Sequence, residues 1–119
     1  MFELWMRTDT AGLPAVKTDP GRFFTLDDGA DLLGVEVFEN GQPLTISGTI
    51  KAWIIRSDGT SIKADGEKDG NKAWIVLPEE AYAVPGKLEV FLKIHNGDDI
   101  TTLGGFQGTV YRSQTANII

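Results

Sequence analysis

The chain has 119 residues, with 17 Asp or Glu against 11 Lys or Arg, a formal net charge of −6 and no cysteine. Its length suits a single domain, 1–119, with one ordinary core. The composition excludes disulfides and thiolate metal sites, argues against nucleic acid, whose backbone needs a basic patch, and holds no run near the ~20 apolar residues of a membrane span.

Residues 2–8 alternate as a strand and carry Phe2, Leu4, Trp5 and Met6, broken by Glu3. The run lacks the basic lead-in and small-residue cleavage site of a signal peptide, so synthesis and folding in the cytosol are expected. Residues 10–21, with Pro14, Pro20, Gly12 and Gly21, read as the longest loop or a mobile arm. A short strand is expected over 23–26 and a fuller one over 31–38, closed by the Asn40-Gly41 turn.

In residues 49–56, Ile50, Ala52 and Ile54 share one face while Trp53 and Ile55 take the other. Residues 72–77 read as the partner strand, with Ala73, Ile75 and Leu77 opposite Trp74 and Val76. Between them Asp58-Gly59 is a hairpin signal, because its turn type needs positive φ at both central residues. Leu77-Pro78-Glu79-Glu80-Ala81-Tyr82 is the one helix-like piece, a single turn with two early acids. After Pro85-Gly86, residues 87–95 give the clearest strand, with Leu88, Val90, Leu92 and Ile94 on one face. Asn96-Gly97-Asp98 turns the chain into a last strand over 105–112. The expected fold class is all-β, an immunoglobulin-like antiparallel β-sandwich of about seven strands, with a small open barrel as the alternative.

Catalytic chemistry finds little to use. His95 is the only histidine, so a histidine-based triad would have to use it, and a multi-histidine zinc site is excluded. Asp65-Gly66-Glu67-Lys68-Asp69-Gly70-Asn71 places oxygen ligands and a glycine as a calcium loop does, but the bidentate Glu position holds Val76 and Lys68 adds a positive charge. Asp27, Asp28 and Asp31, and Asp98 with Asp99, fall in turns, where Asp bonds the nearby backbone. No metal site, cofactor or catalytic residue is expected. Trp53 and Trp74 are expected to pair across adjacent strands, as core or as a ligand face.

The order of residues resembles a known group. Val35-Glu36-Val37-Phe38 leads to Asn40-Gly41-Gln42-Pro43-Leu44, then to a strand ending in Ser57-Asp58-Gly59-Thr60. Asp69-Gly70-Asn71, Val76-Leu77-Pro78, Tyr82 and Pro85-Gly86 follow, and Thr101 to Phe106 runs into Val110-Tyr111-Arg112-Ser113. Over roughly residues 31–113 this resembles the N-terminal domain of phage baseplate upper proteins, and small domains of virion fibre proteins from phages of Gram-positive bacteria. The resemblance implies a non-enzymatic bacteriophage virion protein that docks on the particle, as capsid decoration or head-fibre base, or as a tail baseplate or fibre adaptor. The chain stops at Asn117-Ile118-Ile119, which suits either a piece of a longer fibre protein or a free-standing version.

Expected partners are other virion proteins (major capsid or tail and baseplate proteins), with a second copy of the chain and a host surface glycan as further candidates. Neither nucleic acid nor membrane is expected. Candidate interaction residues are Phe2, Leu4, Trp5, Trp53, Trp74, Tyr82, Ile118 and Ile119. The apolar ends either dock on neighbours or complete the edges of their own sheets. The alternative function is a carbohydrate-binding module that stacks sugars on Trp53, Trp74 or Tyr82.

Overall fold

The computed structural model describes the backbone of residues 2–9, 15–24 and 31–111. Ten strands form two five-stranded sheets among these residues. They are β1 (Phe2–Asp9), β2 (Ala15–Phe24), β3 (Asp31–Glu39), β4 (Gln42–Pro43), β5 (Thr49–Ile55), β6 (Ser61–Asp65), β7 (Glu67–Asp69), β8 (Lys72–Val76), β9 (Gly86–Asn96) and β10 (Asp99–Tyr111). Sheet I runs β1-β3-β8-β7, with β4 hairpinned onto β3; sheet II runs β2-β10-β9-β5-β6. The expected all-β class and two-sheet arrangement are therefore present.

Period-two alternation explains the core. Leu33, Val35 and Val37 of β3 and Ala73 and Ile75 of β8 point inward from sheet I. From sheet II, Ile50, Ala52 and Ile54 of β5 meet Leu88, Val90 and Leu92 of β9. Six of the seven core residues expected from the pattern, Ile50, Ile54, Ile75, Leu88, Val90 and Leu92, are buried; Ile94 is half-buried and packs against the cluster. A strand with one buried face reads this way because successive side chains leave opposite sides of the pleat.

Turn chemistry joins the strands where the sequence places it. Asn40 and Gly41 both take positive φ, 50° and 81°, the conformation a two-residue hairpin requires. At Asp58-Gly59 the expected turn with two positive φ values does not form: Gly59 alone of the pair takes one, 86°. In this β5–β6 turn the Thr60 hydroxyl and backbone N–H donate to Asp58 Oδ1 at 2.5 and 2.9 Å. These bonds, the hydroxyl first, hold the Asp58 carboxyl below the usual carboxylate range. The expected helical turn is a 3-10 turn at Glu79–Tyr82.

Several expectations are corrected. The 72–77 strand does not partner the 49–56 strand: β5 lies between β6 and β9 in sheet II, whereas β8 lies between β3 and β7 in sheet I. The sheet change happens at Gly66. Its N–H donates to the Ile50 carbonyl at 2.9 Å, and a Cβ there would fall 2.6 Å from Ile50 Cγ2 and from the Trp74 carbonyl oxygen. Only glycine fits so close to backbone. The chain thus leaves the edge of one sheet and becomes the edge of the other.

Residues 10–21 are not one loop, because β2 begins at Ala15; residues 10–14 lie outside the described residues. The short strand expected over 23–26 is the end of β2, with residues 25–30 likewise outside. Pairing is not wholly antiparallel: β1 runs parallel to β3, and β2 parallel to β10. The chain alternates sheets from β1 to β2 to β3, so β1 and β3 are separated by a strand in the other layer and point the same way. Finally, β10 starts at Asp99, before the expected 105. A register shift between Thr102 and Gly104 marks a bulge at Leu103, which breaks the alternation and hides the strand's first half from pattern reading.

Candidate interaction faces

The two outer faces of the sandwich each carry tryptophan. On sheet I, the positions opposite in phase to the core are Glu3, Trp5, Arg7 and Asp9 of β1, Leu32, Gly34, Glu36 and Phe38 of β3, and Lys72, Trp74 and Val76 of β8. Register places Trp5, Gly34 and Trp74 in one row across three strands. Gly34 makes the row possible. A Cβ on it would lie 2.4 Å from Cε3 and Cζ3 of Trp5, so the indole lies directly on the glycine backbone.

The Trp5 and Trp74 rings then approach to 6.2 Å between centroids, tilted by 58°, a favourable aromatic arrangement. Trp5 Nε1 donates to Glu3 Oε1 at 3.1 Å, fixing the ring's polar edge. Leu32 and Val76 extend the apolar strip on one side, Val76 being 41% exposed, and Glu3 ends that row on β1. Arg7, Glu36 and Lys72 form a charged rim on the other, with the Arg7 guanidinium 4.2 Å from the Phe38 ring centroid. A cleft of about 140 Å³ opens beside Trp74, between Gly66, Glu67 and Val76.

The outer face of sheet II is built differently. Trp53 of β5 lies opposite Lys63 of β6 and Phe91 of β9. The next row holds Asp65, Lys51 and Lys93. The ammonium groups of Lys93 and Lys63 stand 3.9 and 4.9 Å from the Trp53 ring centroid, while Lys51 pairs with Asp65.

These placements separate the sequence candidates. Trp5 and Trp74 come together; Trp53 lies on the opposite sheet, so the expected Trp53–Trp74 ladder pair does not form. Leu4 is half-buried against the core, and Phe2 opens β1 opposite Asp31. Tyr82 is corrected from surface candidate to core: it is 1% exposed, and its hydroxyl donates to Asp31 Oδ2 at 2.6 Å. Apolar packing from both layers reaches the 3-10 turn, so its ring faces inward. Ile118 and Ile119 lie outside the described residues.

Sequence reasoning overlooked Gly34, Leu32, Lys63 and Lys93. The parity of each strand contained the signal, since Gly34 shares a face with Leu32 and Glu36, but which strands lie side by side was needed to use it. No group of three or more His, Asp or Glu gathers at metal-binding distance among the described residues.

No family model matches this chain, and no curated protein matches it in sequence. The fold, however, is shared. The N-terminal domain of phage TP901-1 ORF48 superposes with a TM-score of 0.60 over 92% of this chain and 98% of its own, at 15% identity. That likeness is one of fold. CopC from Methylosinus trichosporium OB3b aligns over 57% of the chain and 71% of its own, at 17% identity and a TM-score of 0.40.

Proposed function

We propose that this chain is a non-enzymatic bacteriophage virion protein, a β-sandwich that docks on the particle through the outer face of sheet I. The observation that carries the reading is the Trp5–Trp74 pair seated on Gly34. Protein interfaces concentrate their energy in a few aromatic anchors surrounded by polar groups that exclude water. The strip of Trp5, Trp74, Leu32 and Val76, rimmed by Arg7, Glu36 and Lys72, has that composition. The shared fold with a phage protein domain supports the setting, and the turn motifs that resemble baseplate upper proteins agree with it.

The partner class is another virion protein, on capsid or tail. Stacking of sugars is disfavoured by two features: Tyr82 is buried, and Trp5 and Trp74 are tilted by 58° rather than coplanar. The test is incorporation. Trp5→Ser and Trp74→Ser variants, checked for folding by circular dichroism, are supplied during phage growth and counted in purified particles. Folded variants absent from particles support docking through this face. Normal incorporation of both, or glycan-array binding that both variants lose, contradicts it.

A further inference from the structure

The opposite face carries a feature that docking through sheet I leaves unused. In a chain with 17 acidic and 11 basic residues, Lys63 and Lys93 converge on one tryptophan and have no carboxylate partner among the described residues. Strand register makes this convergence: Lys63 and Trp53 are directly opposed, and Lys93 is opposed to Lys51, one pleat repeat along the same face. Lys51 has its charge met by Asp65, so the two free ammonium groups remain as a local positive centre.

The same face opens into a cleft of about 210 Å³, lined by Lys51, Trp53, Lys63, Ala64, Asp65 and His95. There His95 Nε2 is buried and has no hydrogen-bond partner among the described residues. Its ring lines the cleft wall, while the nitrogen itself is closed off from a docking group. Two ammonium groups beside aromatic side chains fit a carboxylate carried on a side chain with apolar neighbours.

We infer that the outer face of sheet II is a second docking site, which takes an acidic peptide segment of a neighbouring protein. Its carboxylates meet Lys63 and Lys93, and its apolar atoms lie against Phe91. The inference rests on the reading of this chain as an assembly domain and gives that domain a second, chemically distinct contact. Charge complementarity selects this occupant. A sugar ring stacking on Trp53 would displace the ammonium groups that already stand over the indole, whereas a carboxylate adds to them. A nucleic acid, whose charged backbone runs far beyond a two-lysine patch, would lie along the rest of a body of net charge −6. At physiological salt the body's repulsion is screened beyond about 8 Å, so a short acidic segment senses the patch itself.

The probe is a hexaglutamate peptide, titrated into the free domain and followed by amide and indole NMR shifts at about 20 and 200 mM salt. The expected result is a shift of the Trp53 indole signal with those of Trp5 and Trp74 unmoved. Affinity should fall at the higher salt and fall at least about tenfold in Lys63→Glu/Lys93→Glu. Lys63→Gln/Lys93→Gln, gentler on folding, should show the same direction. No binding, equal binding by the variants, or tighter binding of a sulfated oligosaccharide than of the peptide overturns the inference. Self-association of the free domain that the same substitutions abolish also overturns it, by assigning the face to a second copy. None of these outcomes depends on Trp5 or Trp74, so failure here is separate from failure of docking through sheet I.

Discussion

At the scale of single residues, the sheet I face depends on what Gly34 lacks. The Trp5 ring occupies the volume a side chain would need, with 2.4 Å between the position of a Cβ and two ring carbons. Gly34→Ala should therefore force the indole off its strand and separate it from Trp74. The expected cost is about 1–3 kcal/mol, the range for overpacking a filled site, together with a changed near-ultraviolet circular dichroism signal from the tryptophan pair. Denaturant unfolding and the dichroism spectrum check both; an unchanged spectrum with unchanged stability would show that the ring does not rest on residue 34. The face itself was only partly legible beforehand. Trp5 and Trp74 stand out as large apolar residues, but they are 69 positions apart in a 119-residue chain, and nothing local says that β3 lies between their strands.

At the scale of elements, β9 is the strand whose pattern is least ambiguous. It pairs with β5 on one side and β10 on the other, and buries Leu88, Val90 and Leu92. Leu92→Ala should destabilise the domain by about 2–5 kcal/mol, since transfer and cavity terms add at a fully enclosed site. A measured loss under about 1 kcal/mol would contradict the strand phase. The elements that pattern reading missed are most of β2, where Pro20 and Gly21 read as loop, and the short ones. β6 and β7 have 5 and 3 residues, and β4 has 2, too few to establish a period. β10 is long but carries its bulge at the place where alternation would have been counted.

For the molecule as a whole, calcium is the remaining chemical question raised by residues 65–71. Their acidic side chains do not stand around a common point. Asp65 pairs with Lys51 on sheet II, and Asp69 sits on β7 at the edge of sheet I, beyond the change of sheet at Gly66. Lys68 donates to the Gly48 carbonyl. Melting temperature in millimolar calcium should match that in magnesium to within about 1 °C, because an ion that bound the native state would raise it by mass action. A calcium-specific rise that Asp69→Ala removes would reverse this conclusion. The layers of the sandwich, the inward faces of its longer strands and the turns at Asn40-Gly41 and Asp58-Gly59 follow from local rules: alternation sets which side a residue takes, and φ restrictions set where glycine is needed. Which strands are neighbours follows from no local rule. The parallel placement of β1 and β2, the crossing at Gly66, the inward turn of Tyr82 and the grouping of Trp5 with Trp74 and of Trp53 with two lysines all depend on contacts between distant segments. Those contacts are decided by the joint packing of two sheets around one core, where a strand's partner is the one that lets both inner faces close without a void.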